Sequence, residues 1–426
     1  MLRRRPAVTG AALGGAFVLA YLILWFEATP SQISRIDFTN TYVGATLFRE
    51  GLGASMYNLA LQAGLYARVV GTANGRYLPF DAAPLAAVMA APVTLLGLDT
   101  AYRVWSLLQF GLIAAAVVVA VRASSGEVPV ERDRRVAVGL IALACMGTCS
   151  TLLEGQLDGV AALGLAVFYA LLKRRRMGAA GAVLAVSSLL AKPHLALGLA
   201  AFALAWRDRR LILGMLAGGA ATLALSLLAV GAGGIAGFLG DLGSQVAPWP
   251  LASMVSLIGI AGSFLGQTSA AHVAGAVGSL AAMAVAATLG AAVRSRPQRL
   301  EAALAGATVL SLLASPHAYV DDVALLVPAA AWSLTALATR ADDVRPLRNA
   351  VLAVWAAISV AAYLLVTGEV PLLSGLTPWT LIAAAGLAIA VCQRQGAGTP
   401  EVGPDPEPGL RPAAPEHAGG SLAISP

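Results

Sequence analysis

The chain is poor in charge. Only 12% of its 426 residues are Asp, Glu, Lys or Arg, where a soluble domain carries roughly 25%. Cysteine is scarce too. Cys145 and Cys149 lie one helical turn apart in an apolar run, Cys392 is far away, and no disulfide framework is visible. All three read as packing residues. No loop carries a Gly-rich phosphate-binding sequence or a DxD-type motif, and the vicinal pairs Asp321-Asp322 and Asp342-Asp343 are not that motif. Long apolar runs stand where a spanning barrel would alternate. What fills the chain is hydrophobic residues, at 58%, with a mean hydropathy of +0.78. Apolar runs near 20 residues recur from end to end, so the expected fold is all-α, a polytopic transmembrane helical bundle.

The formal net charge of +6 is gathered in short clusters between those runs. They are Arg3-Arg4-Arg5, Arg122 to Arg135, Lys173 to Arg176, Arg207 to Arg210, Arg294 to Arg299, Arg340 to Arg348, and Arg394. Basic residues in short loops stay on the cytoplasmic side of a bilayer. Topology thus accounts for the basic balance, and no nucleic-acid partner is inferred. With every cluster inside, Asp37, the stretch from Glu154 to Asp158, Lys192-Pro193-His194 and the stretch from His317 to Asp322 all fall at or near the opposite face.

The same rule orders the spans. Residues 7–27 form the first crossing, since the apolar run exceeds the 7–15 residues of a signal-peptide core. Residues 28–100 form an outer loop with interfacial helices, and 82–98, with Pro79, Pro84 and Pro92 at or near it, is re-entrant or interfacial. Crossings follow at about 101–121, 136–152 and 159–172, with 153–158 as an outer turn. The stretch 178–206 has basic clusters at both ends and must cross twice, with its break at Lys192-Pro193. Residues 211–232 cross once more, and 233–267 form an outer loop and embedded segment. The last crossings are about 270–293, 301–314, 322–339, 349–367 and 376–392. The total is about 12, with both termini cytoplasmic. Residues 1–393 make one membrane domain, and 394–426 a disordered cytoplasmic tail rich in Pro, Gly, Ala and Glu.

Few polar residues remain to carry chemistry. Asp37, ten residues past the first helix, has the place of a general base at the membrane surface, or of a solvated loop acid or helix cap. Arg35 beside it could bind a phosphate or balance the charge. Lys192 and His194 sit in a helix break at membrane depth, where ionisable groups are costly and usually functional. Lysine suits a phosphate as a point charge, or it snorkels to the interface. Gln156 and Asp158 occupy a tight outer turn in which Gln156 could meet a sugar hydroxyl. His317 could contact phosphate or sugar, and Tyr319 could stack on a sugar ring. The His/Asp spacing matches no metal-ligand pattern, so no metal and no cofactor are expected. A transporter or flippase for a lipid-linked or small polar solute is the alternative class, because such proteins also use broken helices and buried lysines.

In their order along the chain these segments resemble the family-87 glycosyltransferases, polytopic GT-C-class enzymes typified by polyprenyl-phosphate-mannose-dependent α-1,2-mannosyltransferases. The resemblance rests on Asp37-Phe38 with Tyr42, Pro79-Phe80 with Pro84 before an embedded run, Gly155-Gln156, Lys192-Pro193, and Ser315-Pro316-His317. It spans roughly residues 10–392. It implies a GT-C-like fold in the cytoplasmic membrane. It implies transfer of a hexose, mannose in the type members, from a polyprenyl-phosphate donor to a glycolipid or glycan acceptor at the outer face. The family's first-loop base maps onto Asp37. Its donor-phosphate contacts map onto Lys192 and His317, with Arg35 beside them. Gln156, Asp158, His194, Tyr319 and Tyr42 would face sugar or acceptor. Two departures bear on sugar and acceptor identity. Asp158 stands where many members have Asn, and Ser253-Met254-Val255-Ser256 replaces a more polar stretch.

Overall fold

The computed structural model describes residues 5–71, 78–125, 130–244, 250–338, 344–367 and 375–395. The expected tail from 394 lies, beyond Gln395, outside the described residues. The fold is all-α, with no strand among the described residues. A long helix α1 (Arg5–Glu27) leads into the outer-loop helices α2 (Pro30–Ile33), α3 (Asp37–Arg49), α4 (Leu59–Val70) and α5 (Pro84–Ala90). Then come α6 (Leu98–Ser125), α7 (Arg132–Leu143), α8 (Met146–Glu154), α9 (Asp158–Lys173), α10 (Met177–Leu190), α11 (Leu197–Trp206) and α12 (Arg209–Ser244). The remainder is α13 (Leu257–Leu265), α14 (Ser269–Ser295), α15 (Leu300–Ala314), α16 (Leu326–Ala338), α17 (Arg345–Thr367) and α18 (Leu376–Arg394).

Seven helical stretches among the described residues are long and apolar enough to cross a bilayer, one of them Asp321–Ala338, which joins a 3₁₀ turn to α16; they are eight if the pair α7–α8, bent by 61°, counts as one span. The other crossings expected from the sequence fall on α9, α10, α11 and α15, which have 16, 14, 10 and 15 residues. The runs at 82–98 and 251–267 contain only short helical pieces, α5 with 7 residues and α13 with 9. One boundary differs from the sequence reading. Residues 233–244, expected as loop, extend α12, which bends at Gly231 (φ 68°). The run Gly231 to Gly234 reads as a breaker in sequence. In the fold its small residues let the outer loop dock. A Cβ on Gly234 would stand 2.9 Å from the Gly53 carbonyl oxygen, and one on Gly237 would stand 3.0 Å from Tyr57 Cβ.

The two ends of the bundle differ chemically. Helix α9 starts at buried Asp158 and ends at Lys173, about 22 Å away at 1.5 Å per residue. At that far end Lys173 pairs with Glu301 at 3.1 Å, and Tyr169 donates to the same carboxylate at 2.8 Å. Arg134 reaches the carbonyl of Ala338 at the end of α16. Lys173 and its Glu301 partner thus mark one end of α9, and Asp158 lies at the other.

Helix breaks at that opposite end are closed by specific groups. Gly155, with φ 65°, ends α8, and a side chain there would meet Phe38 at 2.7 Å. Trp105 and Tyr102 of α6 donate to the carbonyls of Gly155 and Leu153 at 2.9 Å each. Both rings also pack on Phe38, which is fully buried. At the Lys192-Pro193 break, the Ser311 hydroxyl of α15 accepts the Leu199 N–H at 2.8 Å, so a group freed by the proline finds a partner. Gly155→Ala combines left-handed backbone with a clash, and we expect it to lower stability by about 1–3 kcal/mol. Thermal unfolding of the detergent-purified variant should show a lower midpoint; an unchanged midpoint would refute this packing.

Candidate active site

Asp37 opens α3, where a carboxylate meets the positive end of the helix dipole. Three contacts fix the turn before it. Thr29 caps α2, Tyr66 donates to the Ser34 carbonyl at 2.7 Å, and Thr39 donates to the Ile33 carbonyl at 2.7 Å. The 154–156 turn then reaches across. The Gln156 side-chain amide donates to Asp37 Oδ2, and the Asp37 N–H points to the Glu154 carboxylate at 3.4 Å. Phe38, locked beneath by Trp105 and Tyr102, anchors the neighbouring position. Burial pushes the Asp37 carboxyl up to about 6, and the charge of Asp321 adds to the rise. The Lys192 ammonium and the Gln156 hydrogen bond oppose it without cancelling it.

Lys192 has extended backbone between α10 and the 3₁₀ turn Pro193–Ala196. Its ammonium lies 2.6 Å from Asp321 Oδ2, 2.6 Å from Asp322 Oδ1 and 3.2 Å from Asp158 Oδ1. An ammonium has three protons to donate, and here three carboxylates take them. The sequence reading had Lys192 facing a donor phosphate and Asp158 facing a sugar. In the structure they face each other, and Asp158 is wholly buried. The 3₁₀ segment Asp321–Leu325 presses on α8 so closely that a Cβ on Gly147 would stand 2.7 Å from the Val323 carbonyl carbon. The oxygens of Asp158, Asp321 and Asp322 lie within 4.8 Å of one another, a set able to hold a metal ion, and the ammonium stands among them.

The third group comes from the 315–320 connector. Tyr319 N–H donates to Asp322 Oδ2 at 2.7 Å, His317 N–H to the Ser315 hydroxyl at 3.2 Å, and the Ala318 carbonyl accepts Val255 N–H at 2.8 Å. The His317 ring stands edge-on to Tyr319 at 4.9 Å and to His194 at 5.8 Å. Burial pushes the His317 imidazole below its usual range, against the pull of Asp322 and Asp81. Tyr319 packs against the small apolar cluster of Leu251, Met254, Ile258, Ala261 and Ala271.

The structure therefore brings Asp37, Gln156, Lys192, Asp158, His194, His317 and Tyr319 into one region. Two expected residues stand apart. Tyr42 is buried in α3 and donates to the Leu96 carbonyl at 2.9 Å. Arg35 is exposed, with its charge acting on the Tyr66 phenol. Sequence reasoning missed Asp81 altogether. It follows Phe80, whose N–H donates to buried Gln62 at 2.7 Å, and precedes Ala82, whose carbonyl accepts from Tyr57 at 2.7 Å. Asp81 acts electrostatically on both Asp37 and His317. The Pro79-Phe80 pair was the available signal for it.

A multi-pass membrane protein with a carboxylate-centred site opposite its basic end is what fold and site define together. A model of glycosyltransferase family 87 matches residues 83–316, more than half of the chain, and the chain belongs to that family. It is thus a membrane glycosyltransferase. No curated protein and no solved structure matches it. The matched stretch holds Gln156, Asp158, Lys192 and His194; Asp37, His317 and Tyr319 join them through space. Lys192→Met would leave three carboxylates without their counter-charge, a loss of about 3–5 kcal/mol for a buried pair. Thermal unfolding should show that drop, and Lys192→Met with Asp158→Asn should recover part of it. Full stability of Lys192→Met would refute the cluster as a structural element.

Proposed function

We propose that the protein transfers a hexose, mannose by its family resemblance, from a polyprenyl-phosphate donor to a glycolipid or glycan acceptor at the outer face of the cytoplasmic membrane. Asp37 acts as the base. Its carboxylate takes the proton of an acceptor hydroxyl, and the oxygen forms a bond to the anomeric carbon. The bond from that carbon to the phosphate oxygen breaks, and polyprenyl phosphate leaves with the electron pair. One observation carries this reading: Asp37 is held by the Gln156 amide while burial brings its carboxyl near neutrality, the range in which a general base works best.

The other residues divide by what their atoms are free to do. His317, largely neutral, offers an imidazole N–H to a phosphate oxygen, and Arg35 adds a long-range positive charge near the first-loop turn. Gln156, His194 and Tyr319 contact sugar or acceptor. Lys192 cannot meet a phosphate without giving up a carboxylate, so we assign it and Asp158 to positioning. Tyr42 packs the loop. The position of the site, away from the basic end, suits a donor and an acceptor that arrive within the membrane. A transporter or flippase is disfavoured by family membership and by the gathering of these residues at one end.

Removal of a general base costs roughly 10²–10⁴-fold in rate. Asp37→Asn should insert and fold normally and lose transfer on that scale. The readout is mass spectrometry of the products formed from polyprenyl-phosphate-mannose and membrane glycolipids. Near-normal transfer would reject Asp37 as the base. Only ionised Asp37 accepts a proton, so wild-type kcat/KM should fall as pH drops through about 6. A profile flat from pH 7 down to the ordinary carboxylate range would contradict the raised value.

A further inference from the structure

A cavity lies among α15, α16, α17 and α18. Its volume is about 120 Å³. On α16 its lining runs from Leu326 to Leu337, about 16 Å along the helix axis. On α15 and α18 it runs from mid-helix to the basic end. Nearly every lining side chain is apolar, and many are alanines, so the helices are held apart without side chains between them. Interiors rarely keep such spaces empty.

The polar groups at its basic-end mouth show what the space is for. Glu301 lines it, but its carboxylate is neutralised by Lys173 at 3.1 Å and hydrogen-bonded by Tyr169 at 2.8 Å. Two residues earlier, the buried Arg299 Nε makes no hydrogen bond among the described residues. Gln395, which lines the mouth after Arg394, has a buried Oε1 in the same condition. The Arg299 charge acts on Cys392, one helical turn before Gln395, so both ends belong to one mouth. A buried guanidinium nitrogen without a partner is costly, and a phosphate oxygen is its natural acceptor.

We propose that this cavity is a binding site for an anionic phospholipid of the cytoplasmic leaflet. One acyl chain fills the apolar space between the four helices, and the headgroup phosphate accepts from the Arg299 guanidinium. The site is separate from the sugar-transfer centre, at the other end of the bundle. Its occupant holds α17 and α18 against the body of the protein.

The full-length protein, purified in detergent and delipidated, tests this with phosphatidylglycerol and phosphatidylcholine as probes. Thermal unfolding should rise by several degrees with phosphatidylglycerol and much less with phosphatidylcholine. Native mass spectrometry should show at least a fivefold preference for the anionic lipid. Arg299→Gln leaves the apolar space intact and should abolish that preference. Ala305→Phe fills the space and should reduce bound lipid of either kind. Three results would overturn the proposal: equal binding of both lipids by wild type, an undiminished preference in Arg299→Gln, or wild-type lipid occupancy in a folded Ala305→Phe. The last would point to another occupant, such as the chain beyond Gln395.

Discussion

One ammonium ties the fold to its site. Lys192 meets Asp321 and Asp322 at 2.6 Å and Asp158 at 3.2 Å, so the α10–α11 break, the start of α9 and the approach to α16 share a single charge. None of these groups could be buried alone at a tolerable cost. Each needs the others, and the cluster therefore fixes the distance between three chain segments that carry site residues. Tyr319 extends the tie, because its N–H donates to the second oxygen of Asp322. The His317 and Tyr319 rings thereby gain a fixed floor.

The same cluster shapes the base. Three carboxylates stand around one ammonium, and Asp37 feels both signs. The Asp321 charge raises its carboxyl while Lys192 lowers it, on top of the larger rise from burial. Gln156 then aims the carboxylate. Its place depends on Gly155, whose left-handed backbone and missing side chain let the turn close over Phe38. A helix stop, an aromatic cluster and a buried ion cluster thus converge on one oxygen. Opposite them, Gln62 and Tyr57 clamp the short loop that presents Asp81.

Much of this was legible in the sequence, for definite reasons. Basic clusters and run lengths mark the ends of the helices, and Pro193 between two such clusters marks the break between α10 and α11. Gly155 before Gln156 reads as a turn. The partners of Lys192 were not legible. Asp321 and Asp322 lie 129 and 130 residues away along the chain, and no local pattern encodes such a pairing. The Gly231 to Gly234 run is legible only in part: Gly231 does break the helix, but the helix resumes to Ser244, with Gly234 and Gly237 close against residues 53–57. Tyr42 misleads. It follows Asp37 in sequence, but the register of α3 turns it into the core toward Leu96.

The central claim is that the Asp37 region faces away from the cytoplasm while the basic clusters face it. The three native cysteines are buried, so single introduced cysteines report cleanly. Ser31, exposed on α2 near Asp37, and Ser295, exposed at the end of α14 among the basic residues, mark the two ends. A membrane-impermeant maleimide applied to intact cells should label Ser31→Cys at once and Ser295→Cys only after the membrane is opened. The reverse pattern would contradict the account.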